Sequence, residues 1–521
     1  MPTSREQPAL YSSPMRRMTA FKPTILARTE KPKDVLVLGA GLAGLSAAYQ
    51  LVLAGHNVTV IEARTDAGGR VRTLRGPFAD GQHAELGGMF IHGHHTLTMG
   101  YVDLLGLPLV PIVDAGSPFC YIRGTRIKNV GLPTTKWPMT LAPDERGLGL
   151  MGLWQKYILP TVQAKLGKPS APGFPSASLR QFDDISSGDF LRAQGASSGA
   201  LEILQIGYLN LTGNGLWGIS ALSMLRDLTA SFGGIPPLAC GFSANGSDAT
   251  PFGRKFRVVG DDTPRTIAEL RSGEFTIEGG NDRLPHGFAA MKELRDRIVF
   301  NAPVVRIEQT RRGMRVHTLS RGRARTFDAD RVICTIPCPV LRDIVIDAPI
   351  SDEKRDVIRE MQYTTVVRQY MQTRHRRWHR YNKSGIAVAD LPIMYVNDQT
   401  ITQKGVHGIL ESYSAGPYAR AWASMNDNKR RRELLAQLDL IYPGVSRHVM
   451  AHAMFNWDTE PYSRGAYACF EPGQLQRQYP IIRRPEGRLH FAGDHCSSLP
   501  GWMQGAFESG HDVAVEVHNA S

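Results

Sequence analysis

Gly39, Gly41 and Gly44 stand in the stretch DVLVLGAGLAGLSAAYQLVLAGHNVTVIEA (residues 34–63), and Glu62 closes its second apolar run. That pattern can cradle a dinucleotide. Gly39 makes a tight turn, Gly41 lets a pyrophosphate approach the backbone, and Gly44 lets a helix pack close to a strand. Phosphates then meet the N–H groups at the start of the helix, and a carboxylate at position 62 can hold both ribose hydroxyls. The same carboxylate opposes a 2′-phosphate, so NADP is disfavoured while NAD and FAD remain. A second cluster, GGMFIHGHH at residues 87–95, brings His92, His94 and His95 together. Neither a strand nor a helix aims the adjacent His94 and His95 at one ion, and no Cys or carboxylate cluster supports them, so no metal is expected. The run reads as a polar loop at a pocket edge. His92 shares parity with Phe90 in an extended segment and is the imidazole placed to touch a substrate.

The segment after Glu62 separates the two cofactors. EARTDAGGRVRT (62–73) resembles the flavin amine oxidases, the family of monoamine, polyamine and L-amino-acid oxidases, on Arg64, Gly68, Gly69 and Arg70. The resemblance implies that both arginines sit beside the FAD pyrophosphate, where a guanidinium makes charge-assisted, bidentate contacts that a lysine would not. It extends to FTIEGGNDRLPHGFAAMKELRDRIVFNAPVVRIEQ (275–309), with Val304 placed to meet the adenine through its backbone. It extends also to GRLHFAGDHCSSLPGWMQGAFESGHDVAVEV (487–517), where a strand delivers Gly493 and Asp494 to the cofactor. A helix beginning near Trp502 and Met503 would aim its positive end at the flavin. Gly87 and Gly88 are then small because the isoalloxazine ring passes against the backbone.

The same resemblance implies the chemistry, transfer of a hydride equivalent from the amine-bearing carbon to the flavin. Tyr467 and Trp502 match the two aromatic positions that flank the substrate amine. Ala466 stands where covalent monoamine oxidases have a cysteine, so the FAD is expected to be non-covalent. Arg368, ten residues before Trp378, replaces the family lysine that helps oxygen react. Arginine keeps the charge but cannot deprotonate. O2 with hydrogen peroxide as co-product, or another electron acceptor, are both retained, as is pairing of Arg368 with a substrate carboxylate. Phe90 occupies the position of the arginine that clamps the carboxylate in L-amino-acid oxidases. That suits an amine lacking a carboxylate, or a larger substrate held elsewhere, whereas Tyr395, in ADLPIMYVND, can still reach a carboxylate oxygen.

Positioning these residues requires an α/β fold: a discontinuous Rossmann-like FAD-binding domain (33–89, 275–345 and 484–521), an α+β substrate-binding domain (90–140 and 346–483) and a helical insertion (141–274). Residues 1–32 form a polar, basic N-terminal arm. VLVL suits a buried parallel strand and NVTVIEA its neighbour. GKPSAPGFPSAS (167–178) reads as a joint, and NDNKRRRELLAQLDLIYPG (426–444) as an amphipathic helix with a solvated basic face.

At 521 residues, with 42% hydrophobic and 21% charged residues, the chain has the composition of an ordinary globular protein. It has no apolar run of transmembrane length and no secretory h-region. Its six cysteines form no CxxC pair, which excludes a zinc knuckle and a disulfide framework and suits a soluble, cytoplasmic protein. The net charge of +13 invites a nucleic-acid reading, but RHRRWHR and KRRREL come without any nucleic-acid-binding signature. The expected partners are a small amine or amino-acid-like substrate and an electron acceptor, with neither membrane nor nucleic acid; a homodimer is compatible with the sequence. The alternatives to an oxidase are an amine dehydrogenase and a non-catalytic FAD-binding protein acting through its basic surface.

Overall fold

In the computed structural model, which describes residues 26–112, 119–128, 130, 134–167, 169, 173–232, 274–380 and 385–521, the strand Asp34–Leu38 is buried on both faces. Val35 and Val37 enter one apolar core and Leu36 and Leu38 another, as the uninterrupted VLVL run requires of a central parallel strand. It pairs in parallel with Asn57–Ile61 and Arg331–Cys334, and Ile298–Val299 and Leu489–Phe491 complete a five-stranded sheet. Three separate stretches of chain therefore build one sheet. The helices Leu42–Leu53 and Met503–Asn519 cover one face, burying Leu45, Ala48, Val513 and Val517 with Val35 and Val37. On the other side Leu36 and Leu38 share a core with Ile307, Met314 and Val316 of an adjoining four-stranded sheet.

A seven-stranded sheet forms the second layer, in the order Val449–Asn456, Val366–Thr373, Gly408–Ala415, Tyr395–Asp398, Ala387–Ala389, Phe119–Ile122, Thr125–Ile127. Alternation divides its faces. Val367, Met371 and Leu410 pack under the helices Gly416–Ser424 and Asp427–Ile441, against Trp422, Leu434 and Leu438. Val366 and Tyr370 face the other way, towards Trp457. The second helix starts at Asn426, whose side chain accepts from Lys429 N at 2.9 Å, and it exposes Arg431 and Arg432 while burying Arg430. The helix Ser198–Thr212 adjoins this layer; Leu150–Tyr157 and Ser187–Ala193 pack on that helix, and Ala221–Phe232 packs on Ser187–Ala193.

One boundary lies elsewhere than expected. Residues 91–111 do not leave the cofactor domain: Ile91–His92 and Leu109–Pro111 pair with Glu274–Ile277. Ile91, Met99, Tyr101 and Val102 pack in the same core as Val35 and Val37. The chain crosses to the second layer only at Phe119–Ile122. Of the N-terminal arm, residues 1–25 lie outside the described residues, as do Cys240 and parts of the joint at 167–178. Beyond them Thr29 N donates to Ala54 O at 2.8 Å.

Gly44 is the tightest point of the first unit, since a Cβ there would lie 2.0 Å from the Gly39 carbonyl oxygen. Gly44→Ala must push the helix off the strand, and a loss of about 2–3 kcal/mol in unfolding free energy is expected from denaturant titration of the apoprotein.

Candidate functional site

One cavity of about 530 Å³ runs between the two layers and is lined by residues from both. Its first end is built on the strand–turn–helix of residues 34–53. Gly39, at φ 110°, makes the turn, and a Cβ on it would strike Thr335 Oγ1 at 2.5 Å. The helix Leu42–Leu53 has no side-chain cap at Gly41 and no acidic residue in its first turn. Its leading N–H groups are therefore served by no side chain of its own cap. Glu62 is buried at the tip of the second strand, where its two oxygens accept from Ala40 N (2.7 Å) and Arg64 N (2.8 Å). Val304 begins the strand Val304–Gln309 and also lines this end.

The glycines divide into two kinds. A Cβ on Gly41 would meet nothing nearer than Gly69 Cα at 3.9 Å, and its φ of −77° suits any residue. No neighbour in the protein requires glycine there, so the space it leaves is available to a ligand. A dinucleotide's pyrophosphate fits that cradle, with Glu62 beyond it for the ribose. Gly87 is the opposite case and corrects the expectation for its position. A Cβ on it would lie 1.8 Å from the Arg70 carbonyl oxygen. The protein's own backbone, rather than a flavin ring, is enough to require glycine. At Gly88 a Cβ would press on Met503 at 3.3 Å. Both glycines line the cavity.

The two arginines are not held in reserve as open forks. Arg64 Nε and Nη2 bind Glu460 Oε1 at 3.2 and 2.8 Å, and Arg72 takes the other oxygen at 2.9 Å. Arg70 pairs with Asp494 through both terminal nitrogens and donates to the Ala466 carbonyl at 3.0 Å. A buried guanidinium without an anion is costly, so each is matched by a carboxylate from the C-terminal third of the chain. Against the opposing effect of burial, the Arg70 charge and the Gly501 N–H hold the Asp494 carboxyl far below the usual range. Gly493, at φ 135°, turns the strand into Asp494, and the helix Met503–Asn519 starts beside it with Trp502 as its N-cap.

The other end of the cavity is a row of side chains across the seven-stranded sheet. Register places Phe455, Arg368, Tyr413 and Tyr395 directly opposite one another on four successive strands. The Arg368 guanidinium lies 5.0 Å from the Tyr413 ring centre, and Nη1 donates to the Glu85 carbonyl at 2.7 Å. Its Nε is 3.3 Å from Glu411, with both side chains buried. Against the lowering effect of burial, that carboxylate raises the Arg368 pKa further, so its charge is permanent. The Tyr467 hydroxyl is 3.3 Å from that of Tyr413, and burial raises the pKa of Tyr467. Tyr467, Trp502, Arg368, Tyr395 and Phe90 are thereby brought to one cavity, with Trp154, Tyr208, Ile219 and Asp227 of the helical segment completing its wall.

His92 departs from the expected arrangement: it does not line the cavity. The strand Ile91–His92 is followed by a turn and the helix Thr96–Leu104, and His92 is buried behind Trp502, ring centres 4.8 Å apart. The His94 ring stacks on it at 5.3 Å and the His95 ring meets it edge-on at 4.9 Å. Burial lowers the His92 pKa to about 3. His92 and His95 back the aromatic wall at Trp502 instead of presenting a polar edge. Among the described residues no group of three or more His, Cys, Asp or Glu is placed to hold a metal ion, and no helix is long and apolar enough to cross a membrane.

Sequence reasoning missed Glu85, Asp227, Glu411, Tyr413 and Glu460. Glu411 carried a signal, as the one charged residue of the strand GILESYSA, with Tyr413 on the same face. Glu85 and Glu411 belong to a buried polar network behind the row: Asn397 and Gln399 donate to Glu411, and the Tyr370 hydroxyl donates to the Glu85 carbonyl at 2.7 Å. A second cavity of about 90 Å³, lined by Glu85, Asn397 and Asp398, shares Met89, Phe90 and Tyr395 with the first.

The family model for flavin containing amine oxidoreductases matches residues 42–518. YobN of Bacillus subtilis, whose name carries a provisional L-amino-acid oxidase assignment, is 31% identical over 505 residues, 95% of this chain and 96% of that protein. The L-amino-acid oxidase of Echis ocellatus is 27% identical over 511 residues, 95% of this chain and 91% of that protein. Among solved structures, putrescine oxidase bound to putrescine superposes with a TM-score of 0.74 at 22% identity, covering 94% of this chain and 100% of that one. Cyclohexylamine oxidase from Brevibacterium oxydans gives 0.75 at 19%, covering 94% and 99%. At those identities the structures show a shared fold.

The geometry carries two expectations. Gly41→Val should abolish cofactor retention while leaving the apoprotein's unfolding curve nearly unchanged, because only the ligand side of that residue is filled; equal destabilisation of the apoprotein would refute this account. Burial pushes the Glu85 carboxyl from 4.5 to about 8. A raised carboxyl favours the protonated folded state, so its stabilising contribution is complete below about 4.5 and lost as pH rises through about 8. Glu85→Gln cannot ionise, so the variant should gain on the wild type in unfolding free energy across that window. Parallel curves for the two proteins would count against the assignment.

Proposed function

The chain belongs to the flavin-containing amine oxidoreductases, FAD-dependent enzymes that act on CH–NH2 groups, and from that premise we propose that it deaminates an amine or amino-acid-like substrate oxidatively with dioxygen as acceptor. The balanced reaction converts the amine, O2 and water into a carbonyl compound, ammonia and hydrogen peroxide. The observation that carries this reading is the continuity of the dinucleotide cradle with the aromatic end of the same cavity.

Bound FAD supplies the two-electron acceptor for the hydride leaving the amine-bearing carbon. Gly39, Gly41, Gly44, Glu62 and Val304 would hold its nucleotide half. Arg64, Gly69 and Arg70, with Gly87, Gly88, Gly493, Asp494 and Met503, would frame the remainder. Non-covalent binding is supported at two positions. Ala466 offers no nucleophile, and burial pushes the Cys469 thiol up to about 12, keeping it protonated. Tyr467 and Trp502, with Tyr395 and Tyr413 beside them, exclude water from the reacting end and favour the uncharged amine, which is the form able to give up a hydride. The raised Tyr467 pKa keeps that ring neutral. Phe90 puts an apolar ring where a carboxylate clamp would otherwise be, which supports an amine over a free α-amino acid.

Arg368 bears on the acceptor. Its fixed positive charge in the cavity wall favours electron transfer to oxygen. The buried Glu411 beside it offsets that charge when ionised, and this observation supports a second reading, a dehydrogenase that passes electrons to another acceptor.

Anaerobic mixing with a panel of amines and L-amino acids, followed by admission of air, tests both. Bleaching of the flavin by amines and rapid return of colour with peroxide is the expected result. Bleached flavin that stays bleached in air would establish the dehydrogenase, and flavin that no substrate bleaches would refute catalysis. Phe90→Arg should raise the ratio of kcat/KM for an amino acid over the matching amine by about tenfold or more, the worth of one charge-assisted carboxylate contact. An unchanged ratio would show that position 90 does not face the substrate's carboxylate end.

A further inference from the structure

Asp227 is a carboxylate at the substrate end of the main cavity. The helix Ala221–Phe232 carries it, and the start of that helix is pinned to the chain beside the slot: Ser220 N donates to the Phe470 carbonyl at 2.9 Å, and Tyr467, Ala468 and Cys469 immediately before it line the cavity. The other carboxylates of the cavity wall are engaged at the cofactor end. Glu62 accepts two backbone N–H groups, Asp494 is paired with Arg70, and Asp343 with Arg464. Asp227 is held differently. Arg226, wholly buried, donates through Nε (2.9 Å) and Nη2 (2.7 Å) to one oxygen only, Oδ1. Oδ2 accepts no hydrogen bond among the described residues, and the Asp227 side chain is 26% exposed. The Arg226 guanidinium is itself fixed over the rings of Phe470 and Tyr479, at 5.1 and 5.9 Å.

We propose that Oδ2 of Asp227 receives a second, positively charged nitrogen of the substrate, so that the enzyme prefers amines bearing two cationic centres: a diamine or a basic amino acid. This rests on the amine-oxidising reading of the same site. The rings of Trp154 and Tyr208 on the same wall suit such an occupant, since their faces attract a cation and their bulk excludes the water that would compete for it. Burial raises the Asp227 pKa, and the Arg226 charge opposes that rise without cancelling it; an ammonium group at Oδ2 would add a second opposing charge. The two ends of the cavity then ask opposite things of the two nitrogens. The slot of Tyr467 and Trp502 favours the neutral amine that is oxidised, and Asp227 favours the ammonium that is not. A substrate lacking the second nitrogen leaves Oδ2 desolvated and unpaired, which is how a buried polar group rejects an analogue.

The test is kcat/KM for a series of α,ω-diamines, each against the alkylamine of the same length, and for lysine against norleucine. It is run with the holoenzyme and with Asp227→Asn, whose flavin spectrum reports folding. The wild type should prefer the doubly cationic member of at least one pair by about 10- to 100-fold, the worth of a hydrogen bond to a charged group. Whichever pair shows the preference names the source of the second nitrogen. In Asp227→Asn that preference should fall to within about threefold. Wild-type enzyme that oxidises both members of every pair equally well overturns the assignment of Asp227 and leaves amine oxidation intact. A preference that survives in Asp227→Asn overturns it as well. Flavin that no compound bleaches overturns the underlying reading together with this one.

Discussion

Arg70 and Asp494 lie 424 residues apart and are bound to each other. The rest of the site depends on that pairing. A five-stranded sheet assembled from three stretches of chain has no local reason to close; its cradle is completed only when the last stretch meets the first. The guanidinium and the carboxylate each sit where an unpaired charge would be strongly unfavourable, so each enforces the presence of the other. Glu460 repeats the device between Arg64 and Arg72 and ties the loop after the strand Val449–Asn456 to the same glycine-rich segment. The cofactor cradle and the substrate layer are thus locked in register by charge as well as by apolar packing.

Electrostatics also organises the substrate layer. Arg368 enters the cavity face of the seven-stranded sheet with Glu411 and the Glu85 carbonyl behind it. Asn397, Gln399 and Tyr370 satisfy much of what remains. The charge is carried from behind by this polar layer while aromatic rings present themselves in front. This separation lets that end of the cavity be lined by aromatic rings without stranding the guanidinium. His92 and His95 extend the same arrangement on the opposite wall, where their rings buttress Trp502.

The glycines show how much a motif leaves open. Gly39, Gly44 and Gly87 answer to the protein's own atoms, which would collide with any side chain. Gly41 answers to space left for a ligand. Sequence spacing treats all of them alike, and only the neighbours built around each separate a packing requirement from a binding one. The same holds for the arginines of the first segment, which read as phosphate forks in sequence and are found bound to carboxylates.

Much of the site was nevertheless legible in the sequence. The strand–glycine–helix–strand run with Glu62 at its tip is a local pattern, set by turn geometry and hydrophobic period over thirty consecutive residues. Local propensity is enough to determine it. Arg368, Tyr395, Tyr467 and Trp502, which line the cavity, were singled out because they sit inside long motifs that resemble a family. What the sequence could not decide was which faces meet. Tyr413 and Phe455 join Arg368 through strand pairing between stretches far apart in the chain. Glu460 acquires its role from two arginines nearly four hundred residues earlier, and His92 is turned behind Trp502 because its strand ends where it does. A one-residue change of register would invert each of those placements. Chain order therefore determined the cradle and its chemistry, and only the packing of one layer on the other decided which charges are shared, which rings line the cavity and which carboxylate is left facing it.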